Sequence, residues 1–397
     1  MTVDLDQARE ALDSSTDFTI GLEEEFSLLD PSTLSLHNEF ERLKAAAVDD
    51  EVLATSLVGE LISSEVEIRS GRGQSFDEAL DFQRSRRRRL FSLATDNGIA
   101  LAATGAHPWS PWQEQHIIDT PHYRLVADGL QYVAWRNNTF SSHVHVGVRG
   151  ADRAVAACDA MRPVLPVLLA ASANSAFLEG TFTGLHSART QVFTKSFPRC
   201  GVPDALGSWE EYERYVRFLV ETNSIVENTQ VWWSVRPHFS FGTVEVRIMD
   251  AQSRASESTA LLALAAACVA QAAIDFDHGK SVQPTANRLI EENMWRAIRF
   301  GLDGDLIDLD AGREIPAVEA VRRLVAWTGE ARAQLGLDSH LEGLAALLED
   351  GNGAQRQWRA HESGVSQRDI FAQSVAETCE SYAEAAVGAG ACSEIAR

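Results

Sequence analysis

The feature that most constrains the fold is an alternating strand pattern that carries adjacent acids. Between Phe18 and Asp30 apolar side chains alternate along the chain, and the run Glu23-Glu24-Glu25 falls inside this pattern. Because successive side chains of a strand point to opposite faces, Glu23 and Glu25 share one face. Two carboxylates about 7 Å apart on one face repel each other, and a divalent cation would supply the counter-charge. Taken alone, the segment also fits an exposed strand face.

A second strand pattern, from Ser56 to Ser70, carries three more acids. Glu65 and Glu67 share one of its faces, and Glu60 can reach the same place around a bend. This segment alone does not separate metal ligands from solvated acids.

Two imidazoles share one face of a third alternating strand, which spans residues 140–148. His143 and His145 lie on that face, and valines occupy the other. Histidines in this arrangement can be metal ligands, donors to phosphate, or core residues satisfied by hydrogen bonds. All three interpretations stay open at this point.

An acid and a guanidinium lie side by side on a fourth strand pattern, which spans residues 243–250. Glu245 and Arg247 share its polar face. Such a pair suits metal ligation beside a phosphate contact. A salt-bridge ladder across neighbouring strands is the alternative interpretation.

Together, these segments predict one sheet face that carries more acids than it can hold without cations. Carboxylate oxygens favour Mg²⁺ or Mn²⁺ over zinc. Several divalent ions on an open sheet suit phosphate chemistry, since they neutralise charge on transferring phosphoryl groups.

The charge of the chain limits its partners. The formal net charge of −22 disfavours nucleic acid and anionic membranes, and it means that a nucleotide site needs local cations. Neither common nucleotide motif is complete: Ile274 stands where a P-loop ending in Gly279-Lys280-Ser281 needs glycine, and Phe76 breaks a dinucleotide pattern starting at Gly71.

The order of elements predicts an α+β fold with an antiparallel sheet. Predicted strands separated by long connecting segments come first, and predicted helices dominate from Ala255 onwards. The basic run at residues 84–89 is interpreted as a helix face that pairs with the acidic surface or with a second subunit.

The sequence predicts a cytoplasmic enzyme. Residues 1–17 lack the apolar core of a signal peptide. The apolar run Thr259–Ile274 is shorter than a membrane span and is interpreted as a buried helix. The five cysteines are odd in number and widely spaced, which predicts reduced thiols.

Several short stretches resemble, in order, the glutamate–cysteine ligase type 2 family, the YbdK-like carboxylate–amine ligases. They span about residues 18 to 305 and include Gly21–Phe26, Val66–Ile68, Thr104–Pro108, Tyr123-Arg124, His143–Gly147, Ala173–Ser175, Thr183-Gly184, Ser187–Arg189, Phe197–Arg199, Val235–His238, Thr243–Arg247 and Asn293–Ala297. The resemblance implies a glutamine-synthetase-like catalytic fold, with a curved, mainly antiparallel sheet flanked by helices. It divides the chain into an arm (1–17), a catalytic core (18–305) and a helical part of the same domain (306–397).

The resemblance also implies a reaction. ATP would phosphorylate a carboxylate, classically the γ-carboxylate of glutamate, and an amine would then attack the acyl phosphate to give an amide. Ser70, His122 and Cys200 depart from the family pattern. The first two are expected to border the substrate, so the acid and the amine stay open, and cysteine is not the assured amine. The partners are thus a small acid and an amine, with neither nucleic acid nor membrane, in a homodimer or another homo-oligomer.

Site residues carried over from the resemblance fall into three groups. The implied Mg²⁺ ligands are Glu23, Glu25, Glu60, Glu67, His143 and Glu245. Arg247 would stabilise the transferring phosphoryl group, with His145 beside it, and Arg189 and Arg236 would bind phosphate or a substrate carboxylate. Two other functions compete with the ligase: a metal-dependent amide hydrolase, and a non-catalytic protein that binds a nucleotide or metabolite.

Overall fold

The computed structural model describes residues 4–227, 230–280 and 284–383. Its strands are β1 (Ile20–Leu29), β2 (Leu57–Val58), β3 (Glu65–Arg69), β4 (Ala100–Ala102), β5 (Ser141–Gly147), β6 (Phe177–Leu178), β7 (Thr181–Phe182), β8 (Cys200–Gly201), β9 (Trp232–Trp233), β10 (Val235–His238), β11 (Thr243–Asp250), β12 (Asp305–Asp308) and β13 (Arg313–Pro316). Its α-helices are α1 (Leu5–Asp13), α2 (Phe40–Ala46), α3 (Phe76–Asp96), α4 (Pro121–Leu130), α5 (Tyr132–Trp135), α6 (Ala151–Met161), α7 (Leu165–Ser172), α8 (Ala188–Ser196), α9 (Trp209–Glu221), α10 (Ala255–Asp277), α11 (Asn287–Phe300), α12 (Ala317–Trp327), α13 (Gly329–Leu335), α14 (Glu342–Asp350), α15 (Gly353–Glu362) and α16 (Gln367–Ala383). Short 3₁₀ helices span Trp112–Glu114, Arg162–Val164, Gly301–Asp303 and Asp338–Leu341.

A seven-stranded sheet organises the protein. Its order is β10-β11-β5-β1-β3-β2, with β4 also pairing with β1, and all these neighbours are antiparallel. Helices flank the sheet. The predicted α+β class with a mainly antiparallel sheet is therefore confirmed.

The two faces of the sheet differ in polarity because side chains alternate along each strand. One face carries buried apolar side chains such as Leu22, Ile68, Val144 and Val246, and α3, α6 and α10 pack against it. The opposite face carries the acids and histidines.

Helix α10 lies in the core. The stretches Ala151–Ser172 and Ala255–Asp277 are long and apolar enough to cross a membrane by length and composition. However, 72% and 89% of their most apolar windows are buried inside the protein. The predicted buried helix is thus found, although it is longer than the apolar run Thr259–Ile274 suggested.

The central acid of the glutamate run points away from its neighbours. Glu24 is buried on the helix side of β1 and forms a two-bond ion pair with Arg87 of α3, at 2.6 Å to Nε and 2.7 Å to Nη2. Arg89 pairs with Asp50 near the surface. The interpretation of residues 84–89 as a surface helix face is therefore wrong for Arg87, because this side chain neutralises a buried acid.

Several elements went unpredicted. Helix α8 lies within residues 179–208, where glycine, threonine and proline predict an irregular segment. Its N-cap Ser187 accepts a hydrogen bond from the amide of Thr190. The hairpin of β12 and β13 interrupts a region predicted to be helical. Both elements are short, so neither shows the repeated apolar period from which longer elements are predicted.

The cysteine prediction holds in part. Cys158, Cys200 and Cys268 are free thiols. Cys379 is disulfide-bonded, so the prediction of reduced thiols is wrong for this residue.

Candidate active site

Strand β1 runs through the middle of the polar face. Glu23 lies opposite His143 of β5 on one side and opposite Arg69 of β3 on the other. Two residues further along, Glu25 lies opposite Glu67. The register therefore brings acids from two strands and an imidazole from a third onto one surface.

The first candidate metal group consists of Glu23, His143 and Glu245. One ligand atom from each lies within 4.8 Å of the others, and all three side chains are buried. Nδ1 of His143 is 3.1 Å from Glu23 Oε2. Nε2 of His145 adds a contact of 3.3 Å to Glu23 Oε1 and one of 3.8 Å to Glu245 Oε1.

The second candidate group consists of Glu25, Glu67 and His143, again with ligand atoms within 4.8 Å of one another. The hydroxyl of Ser141 donates to Glu25 Oε2 at 2.6 Å, which fixes this carboxylate. His143 belongs to both groups. Burial, together with the positive charge of Arg247, lowers the pKa of His143, so its imidazole is neutral near pH 7, the form that binds metals.

Three acids of this face resist ionisation. Desolvation and the charge of Glu25 raise the pKa of Glu60 to about 7. Burial and neighbouring carboxylates raise the pKa values of Glu65 and Glu67 well above the usual range. Divalent cations would reverse these shifts, because they favour the ionised form.

Two acids behave in the opposite way. Burial alone would raise their pKa values, but nearby positive groups outweigh it. His145 and further contacts hold the pKa of Glu23 well below its usual range. Arg236 and Arg247 do the same for the pKa of Glu245. Nearby positive groups therefore already neutralise part of the negative charge of this cluster.

The arginines occupy distinct positions. Arg236 donates to Glu245 Oε2 at 2.6 Å and to the carbonyl of Val231, and it lines neither of the two cavities on this face. Arg247 donates to Glu245 from its Nη1. Arg189 donates to the carbonyls of Ile248 and Arg247 at 3.1 and 3.2 Å. Structure therefore brings Arg189 and Arg247, but not Arg236, to a cavity wall.

Two cavities open on this face. The first, here called the acidic cavity, has a volume of about 90 Å³ and is lined by Glu25, Glu60, Leu61, Glu65, His122, Tyr123, Val126, Asn137, Thr139, Ser141, Arg189, Phe193, Phe197, Trp232 and Arg247. The second, here called the apolar cavity, has a volume of about 340 Å³ and is lined by Thr19, Ile20, Gly21, Leu22, Glu23, Arg69, Gly71, Arg72, His145, Ser240, Phe241 and Thr243. Glu23 lines the apolar cavity and Glu25 lines the acidic cavity, so the metal groups lie between them.

Some lining residues were missed by sequence reasoning. Trp232, Tyr123 and Phe193 form part of an aromatic wall of the acidic cavity, and Phe241 lies at the tip of the β10–β11 hairpin beside the apolar cavity. Aromatic residues in loops, short strands and short helices carry no period that distinguishes a cavity wall from ordinary packing. The sequence predicts that Glu65 shares a strand face with Glu67, but it indicates no function for Glu65.

Comparison with known sequences identifies a family. The family model described as "Glutamate-cysteine ligase family 2" matches residues 19–381. A protein of Solibacter usitatus named "Putative glutamate--cysteine ligase 2" is 38% identical over 347 residues, which cover 87% of this chain and 90% of the relative. A protein of Rubrobacter xylanophilus named "Putative glutamate--cysteine ligase 2-3" is 39% identical, with coverage of 87% and 92%.

Solved structures agree on the fold. The glutamate–cysteine ligase of Francisella tularensis, solved in complex with AMP, aligns with a TM-score of 0.67 at 11% identity and covers 97% of this chain and 93% of its own. A bifunctional glutathione synthetase from Pasteurella multocida aligns with a TM-score of 0.66 at 12% identity, covering 97% of this chain and 55% of its own.

Proposed function

Since the chain belongs to glutamate–cysteine ligase family 2 and is an ATP-dependent C–N ligase, we propose that it forms an amide from a small carboxylic acid and an amine through an acyl phosphate. Glutamate, reacting at its γ-carboxylate, is the proposed acid. The amine is not fixed by this proposal. We further propose that the enzyme works in the cytoplasm as a homodimer.

Residues of the two metal groups fit Mg²⁺. They offer carboxylate oxygens and one neutral imidazole, and Mg²⁺ prefers oxygen ligands. The raised pKa values of Glu60 and Glu67 mark carboxylates whose negative charge the nearby arginines compensate only in part. Bound Mg²⁺ would neutralise charge on the phosphates during transfer. Mn²⁺ suits the same donors.

The apolar cavity supports a proposal for the nucleotide. Its volume of about 340 Å³ and its apolar wall, which includes Phe241, suit a purine base. His145, Arg69 and Arg72 line the same cavity and supply positive or hydrogen-bonding groups, and His145 and Arg69 also contact Glu23 of the first metal group. These groups offset the net charge of −22, which otherwise repels ATP.

The acidic cavity supports a proposal for the acid and the amine. Arg247 lines it and approaches Glu245 of the first metal group, a position that suits a guanidinium stabilising the phosphoryl group in transfer. Arg189 lines the same cavity and would bind a carboxylate. Arg236, which lines neither cavity, would position Glu245 instead.

The proposed reaction has two steps. A carboxylate oxygen of the acid forms a bond to the γ-phosphorus of ATP, and the bond from that phosphorus to ADP breaks. The amine, after losing a proton, then forms a bond to the acyl carbon, and phosphate leaves with one former carboxylate oxygen. The observation that carries this proposal is the position of Glu23 and Glu25, which lie two residues apart and line different cavities.

Product analysis tests the proposal. The purified protein is incubated with Mg²⁺, ATP and a panel of acids and amines, and amide and ADP are measured by mass spectrometry. We expect equal amounts of amide and ADP, and neither when the acid, the amine or Mg²⁺ is omitted.

The same assay separates the two competing functions. Cleavage of γ-glutamyl amides without ATP, supported by zinc, would identify a hydrolase. ATP binding without turnover over the whole panel would identify a non-catalytic binding protein. Either result would contradict the ligase proposal.

A further inference from the structure

Asp250, the last residue of β11, is a buried acid beside a β-bulge. From Val246 to Met249 strand β11 advances by three residues while its partner β5 advances by two, and such a bulge changes the direction of nearby side chains. Asp250 is fully buried, belongs to neither metal group and lines neither cavity. A buried acid is costly unless it is paired, so its contacts indicate its function.

Four groups contact the carboxylate of Asp250. The amide of Asn174 and the hydroxyl of Ser175 donate to its Oδ2 at 2.9 and 2.7 Å. The hydroxyl of Ser187, the N-cap of α8, donates to Oδ1 at 2.9 Å, and Nη1 of Arg189 lies 3.5 Å from the same oxygen. The carboxylate therefore joins the first turn of α8 to the end of β11.

Arg189 is the only cation paired with Asp250 among the described residues. Its side chain is 4% exposed. Burial raises the pKa of Asp250, and the charge of Arg189 is the strongest influence that opposes this rise. Each side chain thus supplies the counter-charge that the other needs when it is buried.

The guanidinium of Arg189 spans the bulge. Its Nη1 and Nη2 donate to the carbonyls of Ile248 and Arg247 at 3.1 and 3.2 Å, whereas its buried Nε has no hydrogen-bond partner among the described residues. The side chain lines the acidic cavity, and its Cζ lies 5.9 Å from the ring centroid of Phe193. Because a buried N–H without a partner is unfavourable, this Nε indicates a ligand that accepts its hydrogen bond.

We propose that Asp250 is a positioning residue: it fixes the guanidinium of Arg189 on the bulge, so that Nε of Arg189 faces a substrate carboxylate in the acidic cavity. This inference rests on the proposed ligase function, in which Arg189 binds that carboxylate. Asp250 then sets the affinity for the acid through Arg189. Phosphoryl transfer depends on it less, because Arg247 keeps its own hydrogen bond to Glu245.

Asp250→Asn removes the contact with Arg189 and can keep the others. The carbonyl of the new side chain can accept from Asn174 and Ser175, and its amide can donate to the hydroxyl of Ser187. This amide cannot accept from Arg189, which has only donors. With Mg²⁺, ATP and an accepted amine, the KM for glutamate should rise about 10- to 100-fold. The kcat should stay within about threefold of the wild type, because the donor that stabilises the transition state is retained.

A double-mutant cycle shows whether Asp250 acts through Arg189. Arg189→Gln alone should raise the KM for glutamate at least as much as Asp250→Asn does. Adding Asp250→Asn to Arg189→Gln should change this KM by less than about twofold, because the group that Asp250 positions is then absent. Equal fold-changes in the two backgrounds would overturn the inference, since Asp250 would then act independently of Arg189.

Asp275→Asn is the matched control. Asp275 is 8% exposed, pairs with Lys280 at 2.7 Å and lines neither cavity. Its replacement removes a paired acid elsewhere in the fold, so it should lower the melting temperature but leave the KM for glutamate unchanged. An equal rise of this KM in Asp250→Asn and Asp275→Asn would overturn the inference, because general destabilisation would then explain both.

The crystal structure of Asp250→Asn gives a readout that does not depend on turnover. In this structure the guanidinium of Arg189 should have left the carbonyls of Arg247 and Ile248, and an unmoved Arg189 would overturn the inference. If Asp250→Asn does not fold, Ser175→Ala replaces it, since this variant keeps the acid but removes one hydrogen bond that orients it. It should raise the KM for glutamate about threefold, and an unchanged KM would overturn the inference.

The two proposals can fail separately. If the wild type makes amide and Asp250→Asn keeps the wild-type KM, only the inference fails. If the wild type makes no amide but Arg189 leaves the bulge in Asp250→Asn, the ligase function fails and the positioning of Arg189 stands. Absence of amide together with an unmoved Arg189 contradicts both.

Discussion

Oε1 of Glu24 lies 2.7 Å from Nη2 of Arg87, on the face of β1 opposite the candidate metal groups. The strand therefore carries acids on both faces, and each face compensates them differently. On the helix side the compensation is a fixed guanidinium, whereas on the polar side it depends on histidines, arginines and the proposed cations. Glu24 is thus a structural acid, and the alternation of side chains along the strand already separates it from Glu23 and Glu25.

Replacing Arg87 should strongly destabilise the fold. Arg87→Met leaves Glu24 buried without its counter-charge, which should lower the free energy of unfolding by about 3–5 kcal/mol. Urea denaturation followed by circular dichroism measures this change. Arg84→Met is the matched control on the same helix, because Arg84 and its partner Asp81 are 45% and 74% exposed; it should cost at most about 1 kcal/mol. Equal effects of the two substitutions would refute the structural role of Arg87.

Stabilisation of the protein by Mg²⁺ should increase with pH. The pKa of Glu60 is about 7 in the folded protein against an ordinary value of 4.5, so the folded state binds more protons between these values. Ionisation of Glu60 therefore lowers the stability of the metal-free protein as the pH rises from about 4.5 to 7. Because Mg²⁺ compensates the ionised form, the rise in melting temperature that it causes should be larger at pH 8 than at pH 5.

Glu60→Gln is the control for this pH effect. In this variant the stability of the metal-free protein should decrease less between about pH 4.5 and 7, because the titrating carboxyl group is absent. Glu23 and Glu245 have lowered pKa values, so their contribution to stability is lost only below about pH 4.5 and does not overlap this window. A Mg²⁺ effect that is the same at pH 5 and pH 8 would contradict the account.

Glu67→Gln and Glu245→Gln should abolish turnover but move metal-free stability in opposite directions. The pKa of Glu67 is raised, so its ionised form is unfavourable near pH 7 and its removal should raise the melting temperature. Glu245 compensates Arg236 and Arg247, so its removal should lower the melting temperature. Differential scanning calorimetry at pH 7.5 measures both shifts, and a shift of the same sign in both variants would disprove this division.

Arg247→Lys should lower kcat by about 100-fold, the size typical for removing one donor that stabilises a transition state. The planar guanidinium of Arg247 donates to Glu245 and also lines the acidic cavity. Lysine keeps the positive charge but cannot make both contacts with one planar group. Steady-state kinetics should show a smaller change in the KM for ATP. Arg323→Lys is the control, since Arg323 forms an exposed pair with Glu319, and its kinetics should match the wild type. If Arg247→Lys kept the wild-type kcat, Arg247 would not contribute to phosphoryl transfer.

Strand parity explains how much of the site the sequence predicts. Side chains two residues apart in a strand share a face, so the sequence alone predicts that Glu23 and Glu25 share one face and that Glu245 and Arg247 share another. It cannot tell which strands are neighbours, so the meeting of Glu23 with His143 depends on the register of β1 and β5. Only this register shows that one imidazole contributes to both metal groups.

Other features depend on contacts between distant parts of the chain. Arg87 belongs to a basic run that looks like a surface pattern, and only the packing of α3 against β1 shows its pairing with Glu24. Arg236 has the same residue type as Arg247 and lies on the adjacent strand, yet it lines neither cavity.

The most direct test of the ligase account follows the oxygen atoms of the acid. Glutamate labelled with ¹⁸O in its γ-carboxylate is incubated with the enzyme, Mg²⁺, ATP and an accepted amine, and the released phosphate is analysed by mass spectrometry. An acyl phosphate intermediate requires that each phosphate formed carries one ¹⁸O atom from the acid. Amide formation with unlabelled phosphate, or with the label in AMP, would contradict phosphoryl transfer to the carboxylate.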